Sequence, residues 1–305
     1  MATYSMCTPP RAGLGNKLIP WARSVIYAHR HGLQRISTPF VQWAVGPTLR
    51  REKDSRVYAG QFRNDPQATS TLHGWALRAA LPLLAEPTDL TLAPKNGASG
   101  IVEFTSLAGN FSTLCGENDS LRKALLRITK SKWQPHDPVP AIGLHVRRGD
   151  FANPEHLDGK ILGGCVQTPL IWYRDVLRGI RKRLGRDIEA FVVSDGRDDE
   201  LAALLSEPNV VRIDRGCAIA DMWALSHARV ILGSGGSTFT GWATFLGSAP
   251  TAIVPGQSLE WLGFSEHTDA WRGNVDAATD TELDTFSDVV ERALSAESQS
   301  KFHVS

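Results

Sequence analysis

From residue 141 onward, apolar residues come in short runs separated by longer amphipathic stretches. The runs near Ala141, Ile188, Val210, Val230 and Thr251 are too short for helices, rich in β-branched residues and bounded by turn formers, so they predict strands. The stretches near Leu170, Asp199, Ile219 and Thr238 have helical spacing. Strands alternating with helices imply a parallel sheet, and the runs ending at Val193 and Leu232 are apolar on both faces, as a sheet covered by helices on each side requires. A closing helix is expected over about 281–295, free to pack back on the first half, and the tail from Glu297 is expected to fray.

The first half is less regular. Thr3 to Cys7 predicts a strand, ended by Pro9, Pro10 and Gly13, and a helix is expected from about Asn16 to His31. Between residues 35 and 132 prolines, tryptophans and charges interrupt every pattern, and only 72–84 and 121–130 read as helical. Pro135, Pro138 and Pro140 precede the strongest strand, which places a boundary near residue 137 and divides the chain into domains 1–137 and 138–305. The fold class is α/β.

Composition narrows the chemistry. The 305 residues carry 33 basic and 32 acidic side chains, so no overall field draws the chain to nucleic acid or a membrane surface, and any anion site must be local. Cys7, Cys115, Cys165 and Cys217 show neither CxxC nor zinc spacing, so reduced thiols are expected. MATYSMCTPPRAGLG has no basic-then-apolar leader pattern and no apolar run is long enough to span a bilayer, so a cytoplasmic location is expected. Trp43, Trp75 and Trp133 could stack on sugars, but core packing is the ordinary use of such residues.

Three loops carry candidate chemistry. His145, Val146, Arg147, Arg148, Gly149 and Asp150 follow an apolar strand, where paired guanidinium groups can hold phosphate oxygens or pair with carboxylates such as Asp150. Gly233, Ser234, Gly235, Gly236, Ser237 and Thr238 lie between a strand and a helix, as either a phosphate cradle or a tight turn. Gly13, Gly15 and Asn16 form a first loop that is a ligand contact or a structural turn. Asp195, Asp198 and Asp199 could bind a divalent ion or stabilise a helix start, and Asp221 could accept guanine N1–H and N2–H or cap its helix. With no Asp-X-Asp at a strand end, charge on a departing diphosphate would fall to arginines, amides and a helix terminus.

Residues 145–150, the Gly13-Leu-Gly-Asn16 loop and the stretch Asp221 to Leu246 together resemble the fucosyltransferase superfamily of α1,2, α1,6 and protein O-fucosyl branches. The resemblance implies a GT-B fold, two Rossmann-like domains facing across a cleft, with the acceptor on the first and the nucleotide sugar on the second. It implies a metal-independent, inverting transfer of fucose from GDP-fucose, with no cofactor, to a glycan or glycoprotein. Arg147 would then hold the β-phosphate, with Arg148 beside it and His145 near the nucleoside. Asp221 would read guanine, and Ser237 and Thr238, with Ser234, Gly235 and Gly236, would form the cradle. Gly13, Gly15 and Asn16 would touch diphosphate or sugar, and Asp195 joins the donor-site residues. Glu155 stands ten residues after His145, the spacing of the α1,6-branch glutamate, and shares the general-base role with Asp150 as candidates. Gly241-Trp242 keeps only part of the aromatic pair of the α1,2 branch. Another GDP-hexose as donor, or an inactive binding relative, are the competing readings.

Overall fold

The computed structural model describes residues 3–40, 58, 60–94, 99–153, 166–264 and 270–296. The chain forms two compact units, one of Met1–Pro135, Arg215–Ala220 and Glu260–Glu266, the other of His136–Asp214, Asp221–Leu259 and His267–Ser305.

In the first unit the chain runs β1 (Thr3–Cys7), α1 (Leu14–His31), β2 (Gln34–Ile36), β3 (Ala68–Thr69), α2 (Thr71–Ala80), β4 (Leu83–Leu84), β5 (Gly100–Phe104) and α3 (Asn118–Ile128). The strands make one parallel sheet in the order β3-β2-β1-β5-β4, with β1 paired to β5 from Thr3↔Gly100 to Cys7↔Phe104. Helix α1 begins at Leu14, two residues before the expected start, because Gly13 serves as its N-cap and the Leu14 N–H donates to the Tyr58 hydroxyl at 3.1 Å. Its inner face, Leu18, Ile19, Ala22 and Ile26, is buried.

Irregular chain in this unit is tied down by buried charge. Asp65 accepts from Arg127 Nε at 2.9 Å and from the Gln67 N–H at 2.9 Å, and it pairs with Arg35. Burial alone would raise its carboxyl, but Arg127, the Gln67 amide and Arg35 outweigh that and hold it down at about 2. Arg23, wholly buried, pairs with Glu86 and donates to Ser106 Oγ and the Pro87 carbonyl, both at 2.9 Å. Helix α2, capped by Ser70, rests on the sheet through Gly74 and Leu77 and leaves Leu72 86% and Trp75 70% exposed. Trp75 thus departs from the packing expected of it, whereas Trp133 is half-buried with its indole N–H on the Gly60 carbonyl at 3.2 Å. Trp43 lies outside the described residues.

The second unit runs β6 (Ile142–Val146), α4 (Leu170–Leu184), β7 (Ala190–Ser194), α5 (Asp198–Leu205), β8 (Val210–Arg212), α6 (Ala218–Ser226), β9 (Val230–Gly233), α7 (Thr238–Gly247), β10 (Thr251–Ile253), β11 (Arg272–Asn274) and α8 (Asp280–Ser295), of which only the first turn of α6 clusters with the first unit. Its parallel sheet has the order β11-β10-β9-β6-β7-β8. In strand sequence within the unit this is 3-2-1-4-5-6 read from the β8 edge, the doubly wound Rossmann order. Ile142, Leu144, Val192 and Leu232 meet α4 on one face, and Phe191, Val193 and Ile231 meet Leu225 and Ala243 on the other.

Helix α8 brings Leu283, Phe286 and Val290 into the core that holds Val176 and Ile180 of α4, and Arg183 bonds Asp280 at 2.6 Å and pairs with Asp284. Its apolar face therefore serves the second unit. Helix α6 begins at Ala218, so Asp221 stands in its first turn instead of opening it.

Candidate functional site

The second sheet reverses its strand order between β6 and β9, and in open α/β sheets ligands collect outside the carboxyl ends of strands at such a point. The loops leaving these two strands are bonded together there. The Arg147 N–H donates to Ser234 Oγ at 2.9 Å, and that hydroxyl lies 3.0 Å from the His145 carbonyl oxygen. Tyr173 of α4 reaches up from the core, its hydroxyl 2.8 Å from both the His145 carbonyl oxygen and Ser234 Oγ. Burial pushes the Tyr173 phenol up to about 12, so it stays protonated and available as a donor.

The Arg147 guanidinium is 22% exposed and is aimed by two carboxylates, Asp150 at 2.6 Å and Asp195 at 2.7 Å, with the Phe151 ring 5.7 Å away. Asp195, at the end of β7, uses its other oxygen to accept the Arg148 N–H at 2.8 Å. The loop passes so close that a Cβ on Gly149 would stand 2.3 Å from Asp195 Oδ2. Arg148 donates from Nη1 to Gln167 Oε1 at 2.6 Å, while its Nε is buried without a hydrogen-bond partner among the described residues. The carboxylate pairing and the phosphate role offered by the sequence are thus compatible, since Arg147 is both paired and accessible.

His145 is 4% exposed, with its ring stacked 4.8 Å from Phe239 and Nδ1 2.7 Å from Thr240 Oγ1. Because the Thr240 hydroxyl donates to the Ser234 carbonyl at 3.1 Å, His145 Nδ1 is the donor in the other bond. Burial, and secondarily the charge of Arg147, press the imidazole down to about 3, so it is neutral near pH 7. Here His145 works from beneath, fixing the start of α7 to the end of β6.

The glycine turn differs from the expected cradle. The Gly235 N–H donates to Gln257 Oε1 at 3.0 Å and the Gly236 N–H to the Ser258 carbonyl at 3.2 Å, so both amides are already engaged within the chain. A Cβ on Gly235 would meet Gln257 Cβ at 2.4 Å, which explains the glycine by close approach. Gln257 also accepts from the Thr168 hydroxyl at 2.8 Å and donates to the Val166 carbonyl at 2.9 Å. Next along the chain is the head of α7, where Ser237 is the N-cap and Thr238 the first helical residue; the first amides of a helix have no acceptor within it.

The remaining candidates are scattered. Asp198 pairs with Arg212, and Asp199 with Arg197 at 3.0 Å, both at the start of α5, where negative charge favours the helix. Among the described residues no group of His, Cys, Asp and Glu is arranged to hold a metal ion. Asp221 is half-buried on α6. Gly13 caps α1 in the first unit, with Gly15 buried and Asn16 half-buried in its first turn. Glu155 lies outside the described residues. Sequence reasoning missed Tyr173, Thr168, Gln257 and Thr240. Only Thr240 had a local signal, as a hydroxyl two residues into the helix after the glycine turn.

Two parallel-sheet units, the second carrying this strand-end site, define a fucosyltransferase-like fold of the GT-B type. Among solved structures the chain is similar to NodZ alpha-1,6-fucosyltransferase soaked with GDP-fucose, at 16% identity and a TM-score of 0.51 over 82% of this chain and 94% of that one. The fucosyltransferase NodZ from Bradyrhizobium matches at 16% identity and a TM-score of 0.50, over 82% of this chain and 95% of that one. POFUT1 in complex with GDP-fucose aligns over 83% of this chain and 97% of that one at 11% identity, with a TM-score of 0.45 that adds no weight. No protein-family model matches the chain, and no curated protein matches its sequence. No helix among the described residues is long and apolar enough to cross a membrane.

Proposed function

We propose that the chain is an inverting, metal-independent glycosyltransferase that moves fucose from GDP-fucose to a hydroxyl of a glycan or protein acceptor. The observation that carries this reading is the bond joining the two loops at the switch point, Arg147 N–H to Ser234 Oγ, which ties the loop bearing a partly exposed guanidinium to the turn that leads into α7. As the bond from the anomeric carbon to the β-phosphate oxygen breaks, negative charge gathers on the leaving diphosphate. Arg147 and the first amides of α7 meet that charge, the work a divalent ion does elsewhere. The acceptor oxygen enters from the opposite face, which inverts the carbon, and a carboxylate takes its proton late, with Glu155 and Asp150 as the candidates. Asp221 is assigned to guanine, whose N1–H and N2–H match a carboxylate. The second unit holds the donor and the first unit the acceptor.

Thermal unfolding tests the donor. GDP and GDP-fucose at about a hundred times their Kd should stabilise the protein by about 2.7 kcal/mol with EDTA present, and UDP should not. Equal stabilisation by UDP, or its loss in EDTA, overturns the assignment.

A further inference from the structure

We infer that the first unit carries a carbohydrate-binding subsite formed by Trp75 together with Arg78, Glu103 and Thr8. The inference rests on the fucosyl-transfer reading for its place in the reaction, where it makes the acceptor a glycan. Helix α2 follows β3 and crosses back over a parallel sheet, so its first turns lie by the carboxyl ends of the strands, the end at which such sheets bind ligands. It buries only Gly74 among its residues, and Trp75 stands 70% exposed beside the more exposed Leu72.

Arg78 follows Trp75 by three residues, hence on the same flank, and helical side chains lean toward the N-terminus. Its guanidinium accordingly reaches Glu103 at 2.7 Å and Thr8 Oγ1 at 3.2 Å. Thr8 is the first residue past β1 and donates to Glu103 Oε1 at 2.5 Å. Both lie where this sheet reverses order, between β1 and β5. Trp75 therefore stands one helical turn before the residue whose guanidinium joins that carboxylate and hydroxyl.

A pyranose presents those two chemistries together, an apolar face of C–H groups and a rim of hydroxyls. The indole covers the face, and the Arg78–Glu103–Thr8 group takes the rim as donor and acceptor. A purely aliphatic stripe would suit a second copy of the chain; the ion pair of Arg78, one turn along the same flank as Trp75, favours a polyhydroxylated occupant.

A glycan array probed with the labelled wild-type chain, without nucleotide, tests the site directly. Binding to a set of oligosaccharides that falls at least tenfold in Trp75→Ala and recovers in Trp75→Tyr is expected. No oligosaccharide bound by the wild type, or binding equal in Trp75→Ala, overturns the proposal, as does a dimer that this substitution dissociates with glycan binding unchanged. The GDP-induced thermal shift of Trp75→Ala should equal that of wild type. Failure of the fucosyl-transfer reading would instead appear as a wild-type chain that does not respond to GDP, whatever the array shows.

Discussion

The two units surround their charged side chains with different amounts of regular structure. In the first, Asp65 and Arg23 are taken out of water, Asp65 against Arg35 and Arg127 and Arg23 against Glu86, to hold chain that has little regular structure. In the second, apolar strands and helices make the core, and the ionic group at Arg147, Asp150 and Asp195 sits at the carboxyl ends of the central strands, partly open to solvent. The second unit buries charge too, Arg181 on the Ile188 carbonyl and Glu207 against Arg178, so the difference lies in how much regular apolar structure surrounds it.

The sharpest way to break that contrast is Asp65→Ala. It strands two arginines at a buried site and should cost about 3–5 kcal/mol, measured by urea unfolding. A loss under 1 kcal/mol would mean the first unit is held by something else. Arg147→Ala should lower turnover by about a hundred- to a thousandfold, about 3–4 kcal/mol in the transition state, while the urea midpoint barely moves. Turnover within a few fold of wild type would remove Arg147 from the chemistry.

Acid should separate the units. His145, at about 3 when folded, starts from an unfolded value near 6.5, so only the unfolded chain gains the proton between them. Its contribution is complete above about pH 6.5 and falls with pH below that, by up to about 1.4 kcal/mol per unit, near 2 kcal/mol from pH 7 to pH 5. Asp65, held at about 2, is lost only as pH falls from 3.8 toward that value. His145→Gln should flatten the upper window and leave the lower one; an unchanged upper window would show that folding does not hold the His145 imidazole below its unfolded value. Smallest of all, Tyr173→Phe should cost about 1 kcal/mol in urea, since Ser234 Oγ remains 3.0 Å from the His145 carbonyl oxygen. A cost above 3 kcal/mol would make the phenol a structural keystone.

The same contrast governs what could be read from sequence. In the second unit, strands ending at Val146, Val193 and Leu232 were legible because a buried parallel strand is a plain apolar run. In the first unit β3 and β4 are two residues each, shorter than any periodicity, and β5 follows a stretch without pattern. Helix α1 was misjudged by two residues because glycine offers no side-chain cap to recognise. The site divides similarly. Arg147 and Ser234 announce themselves through local motifs, whereas Gln257 acts on Gly235, Thr168 and Val166, partners 22 to 91 residues away that no local window contains.

Asp195 grips the main chain at Arg148 with one oxygen and the guanidinium of Arg147 with the other. Those two grips are separable. An anion that drew the guanidinium away would leave the backbone clamp intact, so the loop would not have to be rebuilt. Ligand exchange there would be a swap of partners at one side chain, with the Arg148 main chain held throughout.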